Sequence, residues 1–192
     1  PYIAPIQVMI IPIAQHKEGV VDKATELYES LKNKFRVKMD LSENSPGWKF
    51  AEYEMKGVPI RLEIGPKDIA ANQCVLVRRD NGEKISVALE NLESAVENLL
   101  HDIHKNMYRK ALENRENRTY TALTFDELKK IADEKNGFIK AMWCGDVECE
   151  NRLKEEAGVT SRCMPFAQET LSDTCVCCGK PAKKMVYWGK AY

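Results

Sequence analysis

The sequence predicts an α/β protein: a mixed sheet flanked by helices, followed by a smaller α/β part. Three observations lead there. Over about the first hundred residues, apolar runs of strand length alternate with amphipathic stripes of helical period. Six of the seven cysteines fall between Cys144 and Cys178, which marks off a small second part. The 192 residues are 44% hydrophobic and 30% charged, the balance of a packed globule of one large domain or two small ones.

The elements follow in order. Residues 6–13 are almost continuously apolar and rich in Ile, as expected of a strand covered on both faces. Residues 20–35 place Val20, Ala24, Leu27, Tyr28, Leu31 and Phe35 on one helical stripe. Residues 37–41 alternate as a short strand. Ser45-Pro46 is an N-cap followed by proline at the first helical position. The helix it opens is expected to run through Trp48, Ala51 and Met55 and to stop at Gly57. Pro59 precedes a strand over Ile60–Ile64, and Gly65-Pro66-Lys67-Asp68 then breaks the chain. Two further strands, residues 74–78 and 83–88, flank the hairpin signal Asp80-Asn81-Gly82. A long helix carries Leu92, Val96, Leu99, Ile103 and Met107, then turns polar to about Arg118. Near residue 119 the pattern restarts. Thr124 to Glu127 resembles a capping box opening a helix over residues 125–135, which Asn136-Gly137 ends. A strand over Phe138–Trp143 leads directly to Cys144.

Composition excludes several classes. The chain carries 29 basic and 29 acidic residues, so bulk charge is not a device for holding nucleic acid or anionic membrane. Residues 1–103 hold 13 Lys/Arg against 16 Asp/Glu, and residues 104–192 hold 16 against 13. No apolar stretch approaches the roughly 20 residues of a membrane helix, and the start has no secretory signal pattern. The first residue is Pro1 and not Met, so a piece of a longer protein is expected. No phosphate-cradling glycine loop, dinucleotide fingerprint or nucleophile elbow is present. Of the three histidines, His16 follows the first strand, and His101 and His104 stand at i, i+3 on the long helix. A ligand-facing His16 and a metal pair of His101 and His104 are the sharper readings, and solvation or partial burial is the expected one for all three.

The cysteines carry the sharpest chemistry. Cys144 and Cys149 form a C-x4-C pair after a strand, and Cys175 and Cys178 a C-x2-C pair followed by Gly179-Lys180. Two short-spaced pairs supply the four thiolates that tetrahedral zinc takes. Gly145 and Gly179 give the backbone freedom to fold around an ion. Lys180, Lys183 and Lys184 stand ready to offset the negative charge of the sulfurs. Cys177 offers a competing spacing, but C-x2-C-G makes the better knuckle. With all four positions filled by protein, such a site is structural and stabilises a part whose own core is small. The other reading is a redox pair of Cys175 and Cys178, or plain buried thiols. Cys74 and Cys163 are expected to be core packing.

Three stretches together carry a family resemblance. They are Ala4-Pro5-Ile6-Gln7-Val8; Lys56-Gly57-Val58-Pro59-Ile60-Arg61-Leu62-Glu63-Ile64-Gly65-Pro66-Lys67-Asp68; and Cys74-Val75-Leu76-Val77-Arg78-Arg79-Asp80. They resemble the anticodon-binding domain shared by the class II synthetases for His, Gly, Thr and Pro. The cysteine pairs and the ending Tyr187-Trp188-Gly189-Lys190-Ala191-Tyr192 are similar to the C-terminal zinc-binding domain of prolyl-tRNA synthetases of the archaeal/eukaryotic type. The resemblance spans essentially the whole chain.

The resemblance implies a mixed-sheet class II anticodon-binding domain over residues 1–103, a connecting helix over 104–118 and a small α/β zinc-binding domain over 119–192. It implies RNA-binding roles for Glu54, Arg61, Lys67 and Asp68, which would read the two guanines of the proline anticodon. Those side-chain types suit guanine: a carboxylate accepts from N1–H and N2–H, and a cation donates to O6 and N7. It implies a structural Zn2+ on Cys144, Cys149, Cys175 and Cys178, and an interdomain contact by Tyr192. The partners implied are proline tRNA through its anticodon stem-loop, and the catalytic domain of a parent chain, cytoplasmic and homodimeric, with no membrane. That parent would activate proline with ATP and Mg2+ and transfer it to tRNA; this piece, without the catalytic domain, would be inactive alone. Two alternatives use the same residues: a freestanding RNA-binding accessory protein of this fold, and a thiol-redox protein working through Cys175 and Cys178.

Overall fold

The structure is a computed structural model and describes residues 1–190. It divides into two compact units, Pro1–Arg109 and Lys110–Tyr192. Both are α/β with mixed sheets.

The first unit runs β1 (Val8–Pro12), α1 (Val20–Leu31), β2 (Val37–Met39), α2 (Pro46–Met55), β3 (Ile60–Ile64), α3 (Pro66–Ala70), β4 (Gln73–Arg78), β5 (Lys84–Ala88) and the start of α4 (Leu92–Asn117). Its sheet has the order β2-β1-β3-β4-β5. The first three strands are parallel, and β4 and β5 add antiparallel. β1 is central among the parallel strands and buried at every residue. Val8 and Ile10 join the main core with Leu27, Leu31, Leu99 and Ile103 of α1 and α4. Met9 and Ile11 face the other side, against Val58, Phe50 and Tyr53. Covering on both faces is why β1 reads as an unbroken apolar run.

Several boundaries differ from the periodicity. β1 is shorter than residues 6–13, since Ala14 turns with a positive φ of 56°. α1 stops at Leu31, although Phe35 still packs into the core from the turn beyond it. The apolar stripe therefore outlasts the helix. Helix α2 runs through Trp48, Ala51 and Met55 as expected but leaves all three exposed, Met55 by 84%. The buried residue is Lys49, which donates from Nζ to the Asp40 carbonyl at 3.1 Å and lies 3.6 Å from Asp40 Oδ1. A lysine whose charge and donors are matched inside takes a position that sequence pattern assigns to solvent. Burial pushes the Asp40 carboxyl up, but bonds from Ser42 and Tyr53 and the charge of Lys49 outweigh it and hold the group low. Tyr53 donates to Asp40 Oδ2 at 2.9 Å, and burial and that bond push its hydroxyl up to about 12. Residues 65–68 are not a bare break: Pro66–Ala70 form the single-turn α3, and Asp68 Oδ2 accepts from the Gly65 amide at 2.9 Å.

The second unit holds the end of α4, β6 (Thr119–Thr121), α5 (Phe125–Glu134), β7 (Phe138–Trp143), α6 (Val147–Ala157), β8 (Val159–Cys163) and β9 (Lys184–Lys190). Its sheet has the order β6-β7-β9-β8, with β6 and β7 parallel and the rest antiparallel. Leu128 and Ala132 of α5 and Leu153 and Ala157 of α6 pack with Ile139, Ala141, Val186 and Trp188 of the sheet. Helix α6 and strands β6, β8 and β9 have no counterpart in the periodicity reading. α6 shows only Cys149, Leu153 and Ala157 to the core. Its signals were its caps: Asp146, whose side chain accepts from the Glu148 amide, and Gly158, at a φ of 67°.

Candidate functional site

Two constellations stand out, one in each unit. In the first, β3 alternates. Ile60, Leu62 and Ile64 enter the main core, so Arg61 and Glu63 emerge on the opposite side. Arg61 is only 9% exposed. Its Nε donates to Glu63 Oε1 at 2.8 Å and its Nη1 to Glu54 Oε1 at 2.7 Å. The guanidinium lies 3.9 Å from the ring centre of Phe50, a cation–π contact. Two charge-assisted bonds and a ring thus fix the fork in one orientation. Arg79 donates from Nε to the Glu54 carbonyl at 2.7 Å and steadies that end of α2. Across the sheet, register places Arg61 in a row with Val77 and Lys84, and Glu63 with Val75 and Ser86. Lys84 and Ser86 are exposed, so this side of β5 is open to solvent.

The structure brings Glu54 and Arg61 into contact, through the end of α2 and the start of β3. Lys67 and Asp68 lie beyond the other end of β3, roughly 10 Å of strand away at least. They occupy the first turn of α3, with Lys67 exposed and Asp68 tied to the Gly65 amide. Sequence reasoning missed Glu63 and Phe50. The i, i+2 spacing of Arg61 and Glu63 on a strand was the available signal for Glu63; Phe50, on the helix packed over that same face, had none.

In the second unit, Cys144 follows β7, Cys149 sits in the first turn of α6, and Cys175 and Cys178 belong to the loop before β9. The loop is pinned by Val176 N to the Met142 carbonyl at 2.9 Å, Cys175 N to Lys180 O at 2.8 Å and Gly179 N to Cys175 O at 3.0 Å. The four sulfurs lie within 4.8 Å of one another. Cys144 Sγ is 3.7 Å from Cys149 Sγ and 3.8 Å from Cys178 Sγ. Four metal–sulfur bonds of about 2.3 Å at tetrahedral angles separate neighbouring sulfurs by about 3.8 Å. The donor set and the spacing fit a zinc-sized thiophilic ion. None of the cysteines is in a disulfide.

Cys177 is buried but outside the set of four. Burial pushes the Cys144, Cys149 and Cys177 thiols up, while the backbone amide of Lys180 holds Cys178 down to about 7. Gly145 and Gly179 adopt φ of 92° and 71°, where a side chain strains the backbone. Lys183 lies beside Gly145: a Cβ there would meet its Cδ at 3.6 Å.

Other candidates resolve differently. Cys74 is fully buried in the main core, its thiol pushed up to about 12 by burial. Cys163 is not core packing; it is exposed at the end of β8, on the side of the sheet away from α5 and α6. His101 Nδ1 bonds the Tyr2 hydroxyl at 2.9 Å, and the His104 ring lies 4.7 Å from the Tyr2 ring. The histidine pair thus meets an aromatic residue and not a third ligand. Tyr192 lies outside the described residues.

Comparison with known proteins agrees across both units. A family model described as "Anticodon binding domain" matches residues 7–99, and one described as "Prolyl-tRNA synthetase, C-terminal" matches residues 125–192. A proline–tRNA ligase of Clostridium novyi is 64% identical over 192 residues. Proline–tRNA ligase 2 of Bacillus cereus and a proline–tRNA ligase of Ruminiclostridium cellulolyticum are each 62% identical over the same length. Each match covers 100% of this chain but 40% of the relative.

Proposed function

The chain belongs to the anticodon-binding and prolyl-tRNA synthetase C-terminal domain families, and from that premise we propose that it is the tRNA-reading part of a proline–tRNA ligase. Its first unit would receive the anticodon of the proline tRNA. The observation that carries this reading is the oriented Arg61, clamped by Glu54 and Glu63 beside an open stretch of sheet.

A guanine lifted out of its stack offers donors at N1 and N2 and acceptors at O6 and N7. Arg61 and Lys67 supply donors; Glu54 and Asp68 supply acceptors. Arg61 is already aligned, so little side-chain entropy is lost when a base edge arrives. Each good bidentate contact discriminates by about 1–3 kcal/mol. The separation of Glu54 and Arg61 from Lys67 and Asp68 along β3 suits two neighbouring splayed bases.

The four cysteines would hold a structural Zn2+. With four protein thiolates the coordination shell is closed, so the ion would cross-link β7, α6 and the loop before β9 and offer no position for catalysis. Four sulfurs converging on one point favour this over a two-thiol redox pair. The activation of proline with ATP and Mg2+, and its transfer to tRNA, would lie in the remaining part of a ligase, which would be cytoplasmic and homodimeric. Among the described residues no helix is long and apolar enough to cross a membrane.

The test is a filter-binding titration of the chain against proline tRNA and against the same tRNA with its anticodon guanines replaced. Tighter binding of the natural tRNA supports the reading; equal binding of both overturns it.

A further inference from the structure

A second surface has chemistry that the anticodon reading does not use. In the second sheet, register sets Thr121, Lys140, Tyr187 and Cys163 in one row, on the side away from α5 and α6. A cavity of about 680 Å³ opens there, and a second of about 1010 Å³ adjoins it around the end of the sheet, where Ala132, Ile139 and Val159 of the helix-covered side line it; the two share Arg115, Phe138 and Arg162. Six cations line them: Arg115, Arg118, Lys135, Lys140, Arg162 and Lys190. The one acid in the lining is Glu116. Two of the six are met by exposed acids, Lys140 by Glu169 at 2.7 Å and Lys190 by Asp133 at 2.9 Å. Such exposed pairs are weak and exchange readily.

The chain as a whole is neutral, so this concentration of one sign is local. Its middle is aromatic. Phe138 and Tyr187 meet edge to face, with centroids 6.4 Å apart at 85°, and Phe138 is 40% exposed. A flat ring standing among cations is the arrangement that takes a base on its face and the flanking phosphates on arginines. An acidic peptide would use the cations and leave the ring idle.

We propose that this face binds unpaired RNA, with a base stacked on Phe138 and phosphates at Arg115 and Arg162. The site lies within the second unit and goes beyond the anticodon reading without resting on it.

The test is fluorescence anisotropy with a labelled octauridylate and the 192-residue chain. Octauridylate has no guanine, so its binding says nothing about anticodon discrimination, and each proposal can fail alone. The expected results are saturable binding, weakened about tenfold by Phe138→Ala. In Arg115→Ala/Arg162→Ala, affinity falls and the slope of log affinity against log salt drops by about 1.4, or 0.7 for each phosphate no longer neutralised. Phe138→Trp retains the affinity and Phe138→Leu loses about tenfold like the alanine variant, a comparison that stands even if the alanine variant folds poorly. The proposal is overturned by absence of saturable binding, or by equal affinity in wild type, Phe138→Leu and the double variant. It is also overturned if duplex RNA or polyglutamate binds as tightly as octauridylate.

Discussion

Cys144 and Cys178 are 34 residues apart in sequence, yet their sulfurs lie 3.8 Å from each other. Cys149 and Cys175 complete the cluster. This closure links the end of β7, the start of α6 and the approach to β9.

Replacing Cys144 or Cys178 by serine should abolish stoichiometric zinc and unfold much of the second unit. Structural zinc contributes about 10–16 kcal/mol of apparent binding free energy in small domains, far more than so small a core replaces. Cys177→Ser should keep the metal, because Cys177 stands outside the set. Metal analysis with thermal unfolding reads both; a metal-free wild type with a reversible Cys175–Cys178 disulfide would refute the assignment.

Arg61→Ala should weaken binding to proline tRNA by about 1–3 kcal/mol and affect a tRNA with altered anticodon guanines far less. Glu63→Gln should produce a smaller loss of the same kind, because it loosens the clamp and leaves the donor in place. Equal losses for both tRNAs would make Arg61 a phosphate contact or a purely structural residue.

Removing one partner of a buried ion pair strands the other. Asp40→Ala should therefore destabilise the first unit by about 3 kcal/mol in urea unfolding. Lys49→Met, close in volume, should cost less than that, since it leaves Asp40 with its bonds from Ser42 and Tyr53. A pH signature accompanies the pair. The Tyr53 hydroxyl titrates near 12 in the folded chain, above its ordinary value of 10.0, so its contribution is complete below about pH 10 and lost as pH rises towards 12. Wild type should lose more stability than Tyr53→Phe across that window; parallel curves would show that Tyr53 is uncoupled.

Gly137→Ala should be among the most damaging single changes in the second unit. Gly137 has a φ of 140°, and an added Cβ would lie 2.0 Å from the Arg118 carbonyl oxygen. That oxygen accepts from Phe138 N at 2.8 Å and joins the start of β7 to the chain entering β6. A markedly lower melting temperature for this unit is expected; an unchanged one would contradict the close approach.

How much was legible follows from where each signal arises. Strand β3 and helix α4 could be read because their apolar residues face one core at a regular period. The cysteine pairs could be read because metal-ligand spacing is local, while the meeting of the pairs depends on the sheet. Lys49 could not be read, because its burial depends on Asp40, a residue on another element. Nor could Gly137: it reads as a helix end, and the approach of Arg118 is invisible in one dimension. Cys163 was misplaced because a lone thiol carries no periodicity, and β8 turns its last side chain away from the helices. The separation of Lys67 from Arg61 is likewise a property of strand length and not of motif.

The clamp around Arg61 has an electrostatic corollary. Two carboxylates meet one guanidinium, so the trio is formally anionic and offers a bare phosphate no welcome. Entry there favours a group that brings its own N–H donors, and the contact would fade little as ionic strength climbs. The arginine-lined face of the second unit has the opposite temperament. A salt titration would thus separate the two surfaces without a single mutation.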